Sequence, residues 1–138
     1  MKSPRFSVGL TIVEFTLLAL LTCSPVCLGV EQTAPVKALL PTDLDGLRGE
    51  RGKKVSVEGT IVLAGESKSK TVRYLNFTKD WRESVALVFF VSVGGEAFSM
   101  EKLQSCVGRK VRATGVVSEY GSNVQMQIDS WSQLQPIR

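Results

Sequence analysis

The segment "SMEKLQSCVGRKVRATGVVSEY" (residues 99–120) combines a short helix with a long strand. Ser99 is a typical N-cap residue, and Glu101 suits the positive end of a helix dipole, so a helix is predicted over residues 99–106. Beyond it, apolar and polar residues alternate, which predicts a strand over residues 110–120. This helix lies between predicted strands and is the only substantial one there, so its place in the strand order decides the fold.

Four further strands are predicted by the same alternation, three before the helix and one after it, over residues 55–63, 71–77, 84–93 and 123–129. "GSN" (residues 121–123) is a natural tight turn between the last two strands. The pattern predicts an all-β fold with small α content: a five-stranded OB-fold Greek-key barrel with one short helix between strands 3 and 4. A β-sandwich needs about seven strands, and an α/β fold needs helices between its strands.

A short internal repeat supports this interpretation. "LRGERGKKVSVEGTIV" (residues 47–62) aligns without gaps on "LQSCVGRKVRATGVVS" (residues 103–118). In each copy a helical turn is followed by a glycine that reverses the chain and by a strand with a glycine inside it. A glycine inside a strand indicates a bend or a close approach there, which we expect at Gly59 and Gly115.

The first thirty residues have a different composition from the rest. Lys2 and Arg5 precede an apolar run over residues 8–21, and the small-residue segment "TCSPVCLGV" follows, which is the pattern of a secretory signal. We expect a signal peptide at residues 1–29, cleaved after Gly29, a flexible lead-in at residues 30–42 and the OB-fold domain at residues 43–138. The protein would then be exported, to the periplasm or out of the cell, without a membrane span in the mature chain.

Three other interpretations of this segment stay open. "GLTIVEF" (residues 9–15), with Glu14, resembles the processing motif of type IV pilin-like proteins, although prolines interrupt the long helix that such proteins continue into. A lipoprotein signal would end at Cys23, but Thr22 is a poor residue before a lipidated cysteine. An uncleaved anchor would be of marginal length. A cleaved signal is favoured over all three.

Charge and cysteine content restrict the function. The chain carries a net charge of +4, or +3 without Lys2, Arg5 and Glu14, which permits a polyanionic partner without requiring one. Histidine is absent from the sequence, which removes the commonest general base and metal ligand. Cys106 is the one cysteine after the signal, so no disulfide is expected, and we interpret it as a small buried residue. No cofactor and no metal are expected.

Four segments carry a resemblance to a known family: "VSVEGTIV", "VRYLNFTKDWRESVALVFF", "LQSCVGRKVRATGVV" and "SEYGSNVQMQIDSWSQL". Over residues 43–137 they resemble the nucleic-acid-binding OB-fold domains of exported bacterial proteins. The resemblance implies a binding face on the second and third strands, flanked by the loops after strands one and four. By this resemblance, that face would comprise Lys68, Lys70, Arg73, Tyr74, Asn76, Lys79, Trp81, Arg82, Tyr120, Ser122 and Asn123. Such surfaces bind single strands through cations that follow phosphates and rings that stack on bases.

Each of these residue types also has a purely structural interpretation. Trp81 lies in a polar loop, where it either covers the end of the barrel or is exposed and available to bind a partner. Tyr120 and Tyr74 could pack against neighbouring strands, and Lys68 and Lys70 could simply keep a loop soluble.

The sequence therefore predicts a non-catalytic, monomeric binding module for single-stranded nucleic acid or another polyanion. The alternative is a module for protein–protein interaction or stress response in the cell envelope. A remote alternative is a thermonuclease-like hydrolase, since the OB-fold also frames such enzymes. Asp80 and Glu83, beside Arg82, have no metal-binding spacing that supports phosphodiester cleavage.

Overall fold

The chain forms eight strands and a few short helices over residues 36–138, the part that the computed structural model describes. The strands are β1 (Ala38–Leu39), β2 (Lys54–Thr60), β3 (Leu63–Glu66), β4 (Val72–Asn76), β5 (Ala86–Phe90), β6 (Lys110–Tyr120), β7 (Asn123–Gln127) and β8 (Leu134–Pro136). The helices are α1 (Leu44–Gly49), α2 (Val91–Gly94) and α3 (Met100–Gln104), with 3-10 turns at Gly95–Phe98 and Trp131–Gln133. The predicted mostly-β composition is confirmed.

The sheet curls back on itself at a bend between β2 and β3. The strand order is β1-β2-β6-β7-β5-β4-β3, so β2 and β3 lie near opposite ends of the path although only two residues separate them. Ile61 N–H donates to the Arg109 carbonyl (3.0 Å), and the next residue, Val62, donates to the Asn76 carbonyl (2.8 Å). Adjacent residues thus bond to the start of β6 and to β4, in the two halves of the path, which gives an OB-like barrel with β5 and β7 parallel.

The count of eight strands corrects the predicted five. The bend ends β2 inside the predicted first strand (residues 55–63), β3 begins at the last residue of that strand and continues to Glu66, and two short strands are added at the margins. β1 pairs in parallel with β2, and β8 pairs antiparallel with β6. At two and three residues, β1 and β8 are too short to show the alternation by which strands are recognised in a sequence.

The segment before α1 takes part in the barrel. Ala38 pairs with Ser56, Pro41 is buried, and the Pro41 carbonyl accepts a hydrogen bond from Val85 N–H (2.8 Å). The predicted flexible lead-in therefore contributes a strand from Ala38 onward. Its residues 30–35 and the predicted signal peptide at residues 1–29 lie outside the described residues.

Glycines of the internal repeat have the expected roles. Gly52 and Gly108 follow α1 and α3 with φ of +80° and +83°, a conformation that glycine adopts without strain. Inside the strands, a Cβ on Gly59 would lie 2.8 Å from Phe77 Cδ1, and one on Gly115 would lie 2.8 Å from Met126 Cγ. Close packing explains both strand glycines.

An aromatic cluster closes one end of the barrel core. Phe89 and Phe98 are buried with ring centroids 5.0 Å apart, and Trp131 packs against both. The Trp131 indole N–H donates to the Ala97 carbonyl (2.7 Å), so its polar atom is satisfied. Every second side chain of β4, β5 and β7 points into this core, so the side chains between them lie on the outer surface of the barrel.

Candidate functional site

A cleft of about 620 Å³ lies on the outer face of β4, β5 and β7. Its floor consists of every second residue, because successive side chains of a strand point to opposite faces. β4 contributes Tyr74 and Asn76, paired in register with Val88 and Ala86 of β5, and Ala86 in turn pairs with Gln125 of β7. Small-molecule sites are typically about 300–1,000 Å³, so the cleft is large enough to hold a ligand.

Two loops and a strand end form the rim of the cleft. The loop between β3 and β4 contributes the hydroxyl groups of Ser67, Ser69 and Thr71, which are linked by short contacts between their oxygens (3.2 and 2.7 Å). The loop between β4 and β5 contributes Trp81, and the end of β6 contributes Tyr120. The rim therefore offers aromatic rings on one loop and on the β6 hairpin, and hydroxyl groups on the other loop.

The side chains of Trp81 and Tyr120 are open to solvent. Trp81 is 44% exposed and Tyr120 is 77% exposed. The Trp81 loop is held in shape by hydrogen bonds: Arg82 N–H donates to Asp80 Oδ1 (3.0 Å), and Thr78 Oγ1 donates to the Asp80 carbonyl (2.7 Å). Since Trp81 lines the cleft and is exposed, it does not serve as a cover for the barrel end.

Among residues 36–138, no charged side chain lines the cleft. The predicted cations lie beside it: Lys68 and Lys70 are exposed in the same loop as the three hydroxyl residues, and Lys79 and Arg82 are exposed in the Trp81 loop. The cleft thus has a neutral floor between two loops that each carry two cations, and the Trp81 loop also carries the exposed carboxylates of Asp80 and Glu83.

Arg73 lies away from the cleft, because it alternates with Tyr74 along β4. Its Nε donates to Glu66 Oε2 (2.7 Å) and its Nη1 donates to the Phe98 carbonyl (2.7 Å). The side chain is only 18% exposed. Arg73 therefore connects β4 to β3 and to the turn before α3, and the structure does not bring it to the face where the sequence placed it.

The other predicted residues divide into two groups. Those that line the cleft are Tyr74, Asn76, Trp81, Tyr120 and Asn123. Those outside its lining are Lys68, Lys70, Lys79, Arg82 and Ser122, of which Ser122 accepts a hydrogen bond from Arg48 through its carbonyl. Sequence reasoning missed Leu63, Ser67, Ser69, Thr71, Val72, Ala86, Val88, Phe90 and Gln125. Of these, Val72, Ala86, Val88 and Phe90 lie on β4 and β5. They could have been predicted by taking every second residue from Tyr74 along β4 and the residues paired with them on β5.

Asn76 is the least exposed polar residue of the cleft. The residue is 1% exposed, and its Oδ1 is the one buried side-chain polar atom in residues 36–138 without a hydrogen-bond partner. Buried polar atoms are paired in the great majority of cases, so this one calls for an explanation.

A smaller hollow contains Lys102, Ser105, Cys106 and Trp131. Burial raises the pKa of the Cys106 thiol, and the thiol contacts the Lys102 carbonyl (3.5 Å). Cys106 is half-buried rather than fully buried as the sequence suggested. Across residues 36–138, no three His, Cys, Asp or Glu side chains are grouped as metal ligands, and no helix is long and apolar enough to span a membrane.

No protein-family model and no curated protein matches this chain. Among solved structures it is similar to the Stn1-Ten1 complex of S. pombe, at 15% identity and TM-score 0.47 over 62% of this chain and 58% of that chain. It is also similar to asparaginyl-tRNA synthetase from Pyrococcus horikoshii, at 20% identity and TM-score 0.47 over 65% of this chain and 21% of that one. An OBody bound to hen egg-white lysozyme gives 12% identity and TM-score 0.48 over 65% and 83% of the two chains.

Proposed function

We propose that this protein is a non-catalytic OB-fold module that binds single-stranded nucleic acid in the cleft on β4, β5 and β7. The observation that carries the proposal is the combination of exposed aromatic rings inside the cleft with cations on the loops beside it. Proteins that bind single strands use this pair of features, because rings stack on bases while cations follow the phosphates.

The position of the aromatic rings supports base stacking. Trp81 and Tyr120 lie on the rim and Tyr74 lies on the floor, so rings are present on two sides of the same space. The guanidinium of Arg82 lies 5.2 Å from the centroid of the Trp81 ring. This cation–π contact favours the observed orientation of Trp81 before a ligand arrives, which lowers the entropy cost of binding.

The distribution of charge supports a particular orientation of the strand. Bases are uncharged and suit the neutral floor, whereas phosphates suit Lys68, Lys70, Lys79 and Arg82 on the loops. Only a few cations are available, so stacking contributes a larger share of the affinity than electrostatics does.

The test is titration of a fluorescently labelled single-stranded oligonucleotide with the full chain at low salt, followed by anisotropy. We expect saturable binding to the single strand and much weaker binding to the same sequence as a duplex, whose bases are already stacked. Absence of binding to any single strand at low salt would refute the proposal.

A protein partner is the second candidate, and the uncharged lining of the cleft favours it. Trp81 and Tyr120 would then be anchor residues, since large aromatic side chains dominate protein interfaces. A purified partner should bind with little dependence on salt, and oligonucleotides should neither bind in the cleft nor displace the partner from it. This is the predicted envelope-interaction alternative, now assigned to the same cleft.

Export belongs to the proposal as well. It rests on Lys2, Arg5 and the apolar run over residues 8–21, which match a secretory signal. The check is mass spectrometry of the N-terminus after expression in a bacterial host together with fractionation of the cells. A mature N-terminus near Val30 in the exported fraction would support it, and an intact Met1 in the cytoplasm would exclude it.

A further inference from the structure

Asn76 places a carboxamide at the floor of the cleft with one end unpaired. The residue is 1% exposed, and its Oδ1 has no donor among the described residues. A buried acceptor without a donor lowers the stability of the folded state, because its hydration is lost and nothing replaces it. The oxygen is buried beneath the cleft floor, so a ligand that brings an N–H group to it once the carboxamide turns towards the cleft would recover that loss.

Neither neighbour of Asn76 in the sheet has a side chain that could donate a hydrogen bond to its Oδ1. In the sheet Asn76 pairs with Leu63 on one side and Ala86 on the other, and neither side chain has a polar atom. The next position in the same row is Gln125, so the short Ala86 side chain separates two amide groups of the cleft. The Asn76 carbonyl accepts from Val62 N–H (2.8 Å), which fixes the strand at this point.

We propose that Asn76 determines the specificity of the cleft and selects a nucleobase whose exocyclic amino group lies next to a ring nitrogen, as in adenine and cytosine. This rests on the proposed function. A carboxamide presents an acceptor and a donor side by side, and the amino group and ring nitrogen of adenine present the complementary pair.

Thymine and uracil fit this position less well. Their ring N–H is set back between two carbonyl oxygens, whereas an exocyclic amino group projects beyond the ring and reaches a recessed acceptor. A carbonyl oxygen brought towards Asn76 Oδ1 would place two acceptors opposite each other and leave both unpaired. Sites built to hydrogen-bond one group strongly reject analogues that lack it.

The experiment compares labelled oligo(dA), oligo(dC) and oligo(dT) of equal length, titrated at low salt with the full chain. We expect oligo(dA) and oligo(dC) to bind about tenfold tighter than oligo(dT), near the lower end of what a bidentate base contact gives. Free adenosine should compete with oligo(dA) better than thymidine does. In the Asn76→Leu variant the ratio should fall to about one, mainly through weaker binding of oligo(dA) and oligo(dC).

Matched variants separate selectivity from folding. Asn76→Leu keeps the size of the side chain and removes the unpaired acceptor, so its thermal unfolding should not occur at a lower temperature than that of the wild type. Asn76→Ser is a second variant that removes the carboxamide and keeps a polar residue. Gln104→Leu removes an exposed amide on α3, outside the cleft, and should keep the wild-type ratio.

The outcomes are distinguishable. Equal affinity for all the oligonucleotides, or tighter binding of oligo(dT), would overturn the role of Asn76 and leave the proposed function standing. Failure of every oligonucleotide to bind would overturn the proposed function, and this inference with it.

Discussion

The guanidinium carbon of Arg82 lies 5.2 Å from the centroid of the Trp81 ring, and the two residues are neighbours in the loop between β4 and β5. The contact covers part of the indole, yet Trp81 remains 44% exposed and lines the cleft. A base can therefore stack on the part of the ring that Arg82 leaves free. The loop offers an aromatic platform with a cation beside it.

Replacement of this platform gives the first prediction. Trp81→Ala should weaken the binding of single strands by about 5- to 150-fold, because one stacked base contributes roughly 1–3 kcal/mol. Since the side chain is exposed, the free energy of unfolding should change little. Anisotropy titrations and urea unfolding curves of the same preparation measure both effects.

A matched control is Val116→Ala, which shortens another exposed apolar side chain. Val116 is 47% exposed on β6 and lies outside the cleft lining. The affinity of the Val116→Ala variant for single strands should equal that of the wild type. An equal loss of affinity in both variants would show that exposed apolar area in general, and not the Trp81 platform, holds the oligonucleotide.

Several features of this fold follow from local sequence. The bounds of β6 agree with the predicted residues 110–120, and the repeated glycines have the same conformation in both copies. The bend at Ile61 and Val62 depends on partners at Arg109 and Asn76, which are distant in sequence, so the predicted strand continued through it. Long-range pairing, which alternation does not encode, accounts for the extra strands.

Alternation along the strands also predicts part of the site. Tyr74 and Asn76 share a face of β4, and Arg73 must face the other way, so alternation alone separates them. The unpaired state of Asn76 is different, since it depends on Leu63 and Ala86 in neighbouring strands being apolar. No local pattern in the sequence indicates it.

Arg73 gives a second prediction, which concerns stability. Arg73→Ala removes charged hydrogen bonds to Glu66 and the Phe98 carbonyl in a mostly buried setting, so it should lower the free energy of unfolding by about 1.5–3 kcal/mol. Urea denaturation measures this loss. At temperatures where the variant stays folded, its affinity for single strands should match the wild type, because Arg73 does not line the cleft.

Arg109→Ala is the control for that variant. Arg109 is exposed and forms no ion pair within residues 36–138, so its loss should change stability by less than about 0.5 kcal/mol. If Arg73→Ala were equally harmless to stability but abolished binding, Arg73 would be a ligand contact after all.

Salt dependence is the third prediction. The loops beside the cleft carry Lys68, Lys70, Lys79 and Arg82. A single strand releases about 0.7 counterions for each phosphate neutralised, so a plot of log affinity against log salt should have a slope no steeper than about −3. Neutralising Lys68 and Lys70 together should make the slope shallower by about 1.4. A slope that stays unchanged in this double variant would exclude the loop as a phosphate contact.

The ion pair between Lys37 and Glu50 gives a fourth prediction, which concerns pH. Lys37 Nζ donates to Glu50 Oε1 (2.6 Å), and this hydrogen bond is the main cause that lowers the pKa of Glu50. A carboxylate with a lowered pKa stabilises the folded state above its unfolded-state pKa, and the contribution is lost as the pH falls through the folded-state pKa.

The measurement is urea unfolding of the wild type and Glu50→Gln at several pH values. The difference in stability should be largest near neutral pH and should shrink between about pH 5 and pH 3. Glu96→Gln is the control, because Glu96 is exposed and has no ion pair within residues 36–138. A constant difference between wild type and Glu50→Gln over this range would show that the pair does not titrate as the structure implies.

The fifth prediction concerns two lysines in one loop. Lys70 has φ of +57° and is the one non-glycine residue with positive φ in the described part of the chain, whereas Lys68 has an ordinary backbone. A side chain in this region costs about 1–2 kcal/mol, so Lys70→Gly should leave stability unchanged or raise it by up to about 1 kcal/mol. Lys68→Gly relieves no strain and should lower stability by about 0.5–1 kcal/mol through the entropy of the unfolded chain. Thermal unfolding compares the two variants directly, and because each removes one exposed cation, both should weaken the binding of single strands alike.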